Sequence, residues 1–388
     1  MSLADRSAVG RLSNRSEIPP FYVMEVMRAA EAKAAAGVEV LHLEVGQPST
    51  PAPATVLAAA HTALDADRLG YTGAAGLVAL RERIAAWYDR RYGLTVDPGR
   101  VVVTTGASGS CVLSFLALFD PGDRVGVLSP GYPCYRNDLL AFGIDVVEIP
   151  VGHDTGFRPT VELLSAAGPL DGLVVASPSN PTGTVLHDDE LAALVEWADA
   201  TDTQLVADEI YHGITYDRPA PSVLAHTDNA VVLNSFSKYF SMTGWRLGWI
   251  VAPDDVAEAT ERLAQSLTVA PPTLSQVAAI AAFDAEEELD ANVARYRTNR
   301  QVLIDGLDAA GISRLAPADG AFYVWADVSH LDVPATELSR RWLDELSIAV
   351  TPGIDFDRQR GEQFIRFSYA GATAEIGEAV DRLGRWRP

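Results

Sequence analysis

Lysine is scarce in this sequence. Of the 30 lysine and arginine residues, only Lys33 and Lys238 are lysines. A guanidinium stays protonated at neutral pH and cannot attack a carbonyl group, whereas an amine with a lowered pKa can form a Schiff base. A general preference for arginine explains the scarcity, but it does not explain the hydroxyl, glycine and arginine residues around Lys238. Lysine chemistry is therefore limited to two positions, of which Lys238 has the more informative surroundings.

Cysteine, basic charge and long apolar runs are also scarce. Two cysteines, Cys111 and Cys134, provide no disulfide framework, which predicts reduced thiols in a cytoplasmic protein. No run approaches the ~20 apolar residues of a membrane span, and the polar segment 1–20 lacks the apolar core of a signal peptide. The formal net charge of −22 repels phosphate backbones and disfavours a nucleic-acid partner. The seven histidines form no metal-binding spacing, so we expect no metal.

The apolar pattern is typical of an α/β protein. Apolar residues make up 48% of the 388 positions, enough for a sizeable core. Short runs rich in Val, Ile and Leu alternate with longer amphipathic stretches, as in strands buried on both faces and joined by helices. We expect a large domain with a mainly parallel seven-stranded sheet covered by helices on both faces. The predicted strands are 101–105, 124–128, 145–149, 172–176, 204–207, 231–233 and 247–251, and helices are predicted over 109–119, 132–142 and 188–200.

The pattern changes after residue 272. A charged stretch with few breakers predicts one long helix over 283–310, followed by a strand over 321–326, an amphipathic helix near 335–346 and a strand over 364–369. These elements predict a second, smaller α+β domain. The expected division is an N-terminal segment 1–44 that packs on the small domain or on a partner subunit, a large domain 45–285 and a small domain 286–388.

The segment around Lys238 has the character of a cofactor site. Residues 234–248 read NSFSKYFSMTGWRLG, so the amine lies among small and hydroxyl-bearing residues, and Arg246 follows eight positions later. We hypothesise that Lys238 carries an aldehyde cofactor as an imine.

Three other polar motifs follow predicted strands. In open α/β sheets, ligands bind beyond the carboxyl ends of the strands. The small-residue turn 106–110 precedes a helix, whose N-terminus suits a phosphate. Asn180, in SPSNPTG, can donate its amide to a phenolate-like oxygen. Asp208, in DEIY, is a buried acid that needs a cationic partner, for which a protonated ring nitrogen would serve. Each motif alone is equally compatible with a turn or a helix cap.

Together, the four motifs in this order resemble the aminotransferase class I/II family of pyridoxal-phosphate enzymes, which have fold type I. The likeness extends from about Leu43 to the end of the chain. It implies that Lys238 forms a Schiff base with pyridoxal 5'-phosphate and then moves the proton between the substrate α-carbon and the cofactor. It also implies that Asp208 pairs with the pyridine nitrogen, and that Asn180 and Tyr211 hydrogen-bond the phenolic oxygen.

The resemblance assigns the rest of the cofactor site as well. Tyr132 matches the aromatic residue that stacks on the ring. Tyr71, in the sequence GYT, resembles a tyrosine that reaches the phosphate of a partner subunit, which implies a homodimer with shared active sites. The phosphate would be bound by the amides of Ala107 and Ser108 together with Ser235 and Arg246.

Substrate recognition depends on two further matches. Arg366 lies in a short apolar strand and matches the family arginine that binds the substrate α-carboxylate in a bidentate manner. Gly46 resembles the glycine whose backbone approaches the substrate, and Asn180 is expected to contact the substrate as well as the cofactor. Ser49 and Thr50 follow where the family often has an aromatic or acidic residue, so that part of the wall departs from the pattern.

The favoured function is a transaminase that moves an amino group between an L-amino acid and a 2-oxo acid through a pyridoxamine form. A carbon–sulfur β-lyase of the same fold is an alternative, because it binds the cofactor in the same way. A non-catalytic effector-binding module is disfavoured by the negative charge and by the presence of the lysine. The amino acid itself is open: a dicarboxylate needs a second cation, for which Arg68, Arg136 and Arg295 are candidates.

Overall fold

The computed structural model describes residues 12–66 and 68–387, so the predictions made for residues 1–11 lie outside the described residues. The strands are β1 (Leu41–His42), β2 (Val101–Thr104), β3 (Arg124–Ser129), β4 (Asp145–Pro150), β5 (Gly172–Ala176), β6 (Gln204–Asp208), β7 (Val231–Ser235), β8 (Gly248–Val251), β9 (Tyr323–Asp327), β10 (Ile348–Ala349), β11 (Thr351–Pro352) and β12 (Phe364–Ser368). The helices are α1 (Tyr22–Ala35), α2 (Ala54–Ala66), α3 (Val78–Tyr92), α4 (Ala107–Leu118), α5 (Pro133–Phe142), α6 (Val161–Ala166), α7 (Asp188–Ala200), α8 (Asp254–Leu267), α9 (Thr273–Ile280), α10 (Glu286–Ala309), α11 (Ala335–Arg341) and α12 (Thr373–Arg385).

The central sheet has seven strands in the order β2-β8-β7-β6-β5-β3-β4. From β7 to β4 all neighbours are parallel, whereas β8 is antiparallel to both β2 and β7. The predicted mainly parallel sheet of an α/β fold is confirmed. The direction of β8 was not predicted, because an apolar run indicates burial and not strand direction.

The strands divide their side chains between two hydrophobic clusters. In β2, Val101 and Val103 belong to one cluster and Val102 to the other; in β7, Val232 and Val231 divide in the same way. Because alternate residues of a strand face the same side, one cluster lies on each face of the sheet. Helices α3, α7 and α9 contribute to the first cluster, and α4, α5 and α8 to the second. The predicted helical cover on both faces is therefore present.

The C-terminal part contains a second sheet, the antiparallel β11-β12-β9. The long helix α10 packs against α12. The single helix predicted over 335–346 is α11 followed by a π-helical turn, Trp342–Leu346.

The N-terminal segment packs on this C-terminal part. Val26 and Ala30 of α1 form a cluster with Leu343 and Ala349, and β1 pairs in parallel with β10. The sequence assigned this segment no strand, because two residues show no alternation. The domain limits at 44 and 285 remain predictions.

The segment after β1 is held next to the C-terminal sheet. The amide of Ser368 donates to the Leu43 carbonyl at 2.7 Å, and the Thr351 hydroxyl donates to the Glu44 carbonyl at 3.0 Å. This arrangement places Gly46 above the carboxyl ends of the central strands, where the polar motifs lie.

Candidate active site

A cavity of about 260 Å³ lies between the carboxyl ends of the central strands, the segment after β1 and helix α1. It gathers most of the residues that the sequence singled out. Ser235 and Tyr71 are not among its lining residues. Those that line it are Gly46, Ala107, Ser108, Tyr132, Asn180, Asp208, Tyr211, Lys238, Arg246 and Arg366.

Lys238 projects into the cavity from the turn after β7. Its Nζ donates to the Gly46 carbonyl at 2.6 Å. Burial, and then the positive charges of Arg366 and Arg246, lower the pKa of Lys238 to about 8, against an opposing effect of Asp208. A substantial fraction of the amine is therefore neutral, and nucleophilic, near physiological pH.

Asp208 ends β6 and is almost completely buried. The Tyr135 hydroxyl donates to Oδ2, and the Ile210 amide donates to Oδ1 at 2.9 Å. Burial raises the pKa of Asp208 to about 6, although these two hydrogen bonds and the charge of Lys238 favour the ionised form. At neutral pH the carboxylate is mostly ionised in an apolar setting, which makes it a strong acceptor for a buried cation.

The N-terminus of α4 and Arg246 form a cradle for an anion. Gly106 precedes the helix with φ +85°, and no side chain in the described ranges caps the helix there. A Cβ on Gly106 would meet the Arg246 Nη2 atom at 2.7 Å, so only glycine lets the guanidinium approach the helix end. The Ala107 and Ser108 amides, the helix dipole and one guanidinium thus converge on one place, as suits a phosphate.

Ser235 lies behind this cradle. Its hydroxyl donates to the Leu247 carbonyl at 3.0 Å and accepts from the Ser237 amide at 3.0 Å. Ser237 itself lines the cavity, as does Thr243, whose hydroxyl donates to the Ser237 carbonyl at 2.8 Å. Of the two serines that precede Lys238 in this motif, Ser237 and not Ser235 reaches the cavity.

Tyr71 lies away from the cavity and is 89% exposed. Its loop is held by Thr273, whose hydroxyl donates to the Gly70 carbonyl at 2.6 Å. A large exposed aromatic side chain on an anchored loop is compatible with the predicted contact to a partner subunit.

Arg366 is buried on β12. It donates to Asn180 Oδ1 at 3.0 Å, to the Glu44 carbonyl at 2.5 Å and to Thr351 Oγ1 at 3.2 Å. Its guanidinium carbon lies 4.6 Å from the ring centre of Tyr323. Within the described part of the chain, Nε has no hydrogen-bond partner. The guanidinium therefore keeps donors free for a carboxylate.

Several cavity residues were given no role from the sequence, among them Tyr135, Tyr323, Val23 and Met27. Tyr135 follows Tyr132 by three positions in α5, a helical spacing that could have signalled a shared face. Tyr323 begins β9 in an apolar run and carried no signal. Val23 and Met27 form the α1 side of the cavity, and an amphipathic helix gives no sign of which cavity it borders.

Helix α1 is fixed in this place by Asp355. Its two carboxylate oxygens accept the amides of Tyr22 and Val23 at 2.8 and 2.9 Å. The Arg136 guanidinium donates to the Asp355 carbonyl at 3.0 Å, away from the cavity. The wall carrying Val23 and Met27 is thus tied to the segment before β12.

The described ranges contain neither a metal-ligand cluster nor a membrane-spanning helix. Residues 12–66 and 68–387 contain no group of three His, Cys, Asp or Glu side chains placed to hold a metal ion. Over the same residues, no helix has the length and apolar character needed to cross a membrane.

Comparisons with known proteins identify the family of this chain. The model of the family described as aminotransferase class I and II matches residues 38–383. The chain belongs to this family. A valine–pyruvate aminotransferase of Mycobacterium tuberculosis is 51% identical over 383 residues, which cover 97% of this chain and 99% of that relative. This aminotransferase is thus an enzyme of the transaminase type, in a family that uses pyridoxal phosphate.

Solved aminotransferase structures have the same fold. A crystal structure of an aminotransferase from Mycobacterium tuberculosis has a TM-score of 0.95 and 50% identity, with 97% of this chain and 99% of that chain covered. An aspartate aminotransferase from Thermus thermophilus with maleate has a TM-score of 0.91 and 33% identity, covering 97% and 100%. These neighbours confirm the α/β fold of the aminotransferases.

Proposed function

We propose that this aminotransferase holds pyridoxal 5'-phosphate in the cavity between the α4 N-terminus and Asp208, with Lys238 as its covalent anchor. The observation that carries the proposal is a buried amine of lowered pKa between an anion cradle and a buried carboxylate. The donor set fits the cofactor, because Gly106 leaves room for Arg246 beside the helix end. When bound, the cofactor supplies an aldehyde for the amine and a ring that accepts the electrons released at the substrate α-carbon.

The remaining side chains have separate tasks in this proposal. Asp208 holds a proton on the ring nitrogen, and Tyr135 keeps the carboxylate in place. Tyr211 and Asn180 donate to the phenolic oxygen, and Tyr132 covers the ring. When Lys238 is not attached to the cofactor, its Nζ would be the base that takes the substrate α-proton, a role supported by its lowered pKa. Ser235 acts through Ser237, which lies closer to the cradle.

We propose that the substrate is an apolar monocarboxylic amino acid. Arg366 has donors free for one carboxylate. Among the described residues of one subunit that line the cavity, the cations are Lys238, Arg246 and Arg366, so a second carboxylate would need a cation from the partner subunit. Of the candidates from the sequence, Arg136 is turned to Asp355, and neither Arg68 nor Arg295 lines the cavity.

Four apolar side chains in the cavity lining support the same choice. Apolar surroundings suit an aliphatic substrate side chain and disfavour a second charge. The relative from Mycobacterium tuberculosis is named a valine–pyruvate aminotransferase. Valine or a similar aliphatic amino acid as donor and pyruvate as acceptor are therefore the pair we propose. The apolar residues are Val23, Met27, Val45 and Ile210.

We also propose a cytoplasmic homodimer in which Tyr71 reaches the partner's phosphate site. The exposed side chain of Tyr71 supports an interface at this loop. The unpaired Cys111 and Cys134 support a reducing compartment. Analytical ultracentrifugation tests the dimer, and Tyr71→Ala tests the shared site: cofactor affinity falls while the dimer persists.

The decisive experiment is to titrate the cofactor-loaded protein with single amino acids in the absence of any oxo acid, following its absorption. Conversion to the pyridoxamine form by valine, but not by aspartate, is the expected result. Lys238→Ala protein should neither show the visible band of the wild type nor turn over. Accumulation of pyruvate and ammonia from cystathionine without an oxo acid would instead establish the β-lyase alternative.

A further inference from the structure

Tyr323 forms a direct contact with Tyr211 inside the cavity. Their hydroxyl oxygens are 2.8 Å apart, and both side chains are almost completely buried. Burial raises the pKa of each phenol above its usual value, so both hydroxyls stay protonated at neutral pH. Two neutral hydroxyls at this distance share one hydrogen bond, and only one of them can be its donor.

The position of Tyr323 is fixed by its neighbours. A Cβ on Gly46 would overlap the Tyr323 hydroxyl, so the backbone after β1 lies directly against that oxygen. On another side the ring carries the Arg366 guanidinium at 4.6 Å. Tyr323 therefore has little freedom to turn away from Tyr211.

The direction of the hydrogen bond follows from the proposed function, on which this step depends. If Tyr211 gives its only proton to the phenolic oxygen of the cofactor, its own oxygen can only accept from Tyr323. We propose that Tyr323 is a positioning residue that donates to Tyr211 and thereby strengthens the bond from Tyr211 to that oxygen. Hydrogen bonds in series polarise one another, by roughly 10–30% per bond in condensed phases.

The consequence appears at the Lys238 nitrogen. With the cofactor attached, a proton on this nitrogen would offset part of the negative charge of the phenolic oxygen. When that proton leaves, only the remaining hydrogen-bond donors stabilise the negative charge on the phenolic oxygen. A stronger hydrogen bond from Tyr211 therefore favours the unprotonated nitrogen. Tyr323 thus lowers the pKa of the attached Lys238 nitrogen without touching it.

Tyr323→Phe tests this step, because phenylalanine keeps the ring beneath Arg366 and removes only the hydroxyl. The readout is the midpoint pH of the visible absorption change of the cofactor-loaded protein. We expect the midpoint to rise by about half a pH unit in Tyr323→Phe and by more in Tyr211→Phe. The KM for the amino acid should stay within about twofold, since Arg366 keeps its stacking partner.

Two controls separate this role from a structural one. Tyr216→Phe removes another buried tyrosine hydroxyl, which donates to the Ala321 carbonyl outside the cavity, and should leave the midpoint unchanged. In a double-mutant cycle, Tyr323→Phe should have no further effect once Tyr211 is phenylalanine. Thermal unfolding of each variant verifies that it is folded.

The outcomes are distinct. The proposal is overturned if the midpoint is unchanged in Tyr323→Phe but raised in Tyr211→Phe. It is also overturned if Tyr323→Phe raises the midpoint equally in the wild type and in the Tyr211→Phe variant. A raised KM with an unchanged midpoint would show that Tyr323 contacts the substrate instead. If the wild-type protein shows no pH-dependent visible band at all, it is the proposed function that fails.

Discussion

Replacing Arg366 by lysine separates the charge of this residue from its shape. Arginine has five N–H donors, of which three are used by Asn180, the Glu44 carbonyl and Thr351. Two therefore remain, one of them on Nε, which lacks a partner in the described part of the chain. A lysine at this position keeps the positive charge but presents a point charge without the planar fork.

The magnitude follows from the bonds that are lost. We expect at least one charge-assisted hydrogen bond to the substrate carboxylate to disappear, and such a bond contributes about 1.5–3 kcal/mol. At 1.4 kcal/mol per factor of ten, kcat/KM falls roughly 10- to 150-fold. Most of the loss should be in KM, because the carboxylate is bound in the ground state as well as in the transition state.

Steady-state kinetics with valine and pyruvate measure this loss, and the visible spectrum checks that the cofactor is still bound. Arg300→Lys is a matched control, since Arg300 also stacks on a tyrosine and donates to the Ala318 carbonyl, but outside the cavity. It should leave kcat/KM within about twofold. A kcat/KM for Arg366→Lys equal to that of the control would refute the assignment of Arg366 to the carboxylate.

Three further predictions concern the same cavity. Met27→Ala enlarges the cavity beside α1, so the ratio of kcat/KM for leucine to that for valine should rise by about tenfold in competition assays. An unchanged ratio would show that α1 does not contribute to substrate selection. Gly46→Ala places a Cβ on the Tyr323 hydroxyl, and activity should fall by about 100-fold with the protein still folded by circular dichroism. Because the pKa of Lys238 is lowered to about 8, its amine becomes neutral as the pH rises through 8. The rate of pyridoxal-phosphate uptake by cofactor-free protein, measured by stopped-flow absorbance, should therefore increase up to pH 8 and level off above it; a rate still rising at pH 10 would contradict this.

The central sheet was largely predictable because its strands are buried on both faces. Strand β5 and helix α7 coincide with the predicted 172–176 and 188–200, where apolar runs are bounded by Asp, Gly and Pro. The sequence could not predict β1, since a two-residue strand has no period, nor the π-helical turn after α11, which continues the same apolar spacing. Strand direction was also inaccessible, as β8 demonstrates.

The cavity was predictable where a polar residue follows a strand. Asp208 comes directly after an apolar run and Asn180 lies in the turn that follows another, and such strand ends meet at one edge of a parallel sheet. Tyr135 and Tyr323 lie inside elements instead, where a buried tyrosine is indistinguishable in sequence from a core residue. Their hydroxyl partners, Asp208 and Tyr211, become visible only when the chain is folded.

The two halves of the proposed site are mechanically joined through the segment after β1. The Glu44 carbonyl accepts from Arg366, and two residues later the Gly46 carbonyl accepts from Lys238. The carboxylate site and the amine therefore depend on one short stretch of backbone, and the Tyr323 hydroxyl lies against Gly46 at its end. A displacement of this stretch moves the substrate carboxylate and the catalytic nitrogen together. We therefore expect Gly46→Ala to impair both KM and the cofactor spectrum, whereas Arg366→Lys impairs mainly KM and leaves the cofactor spectrum unchanged.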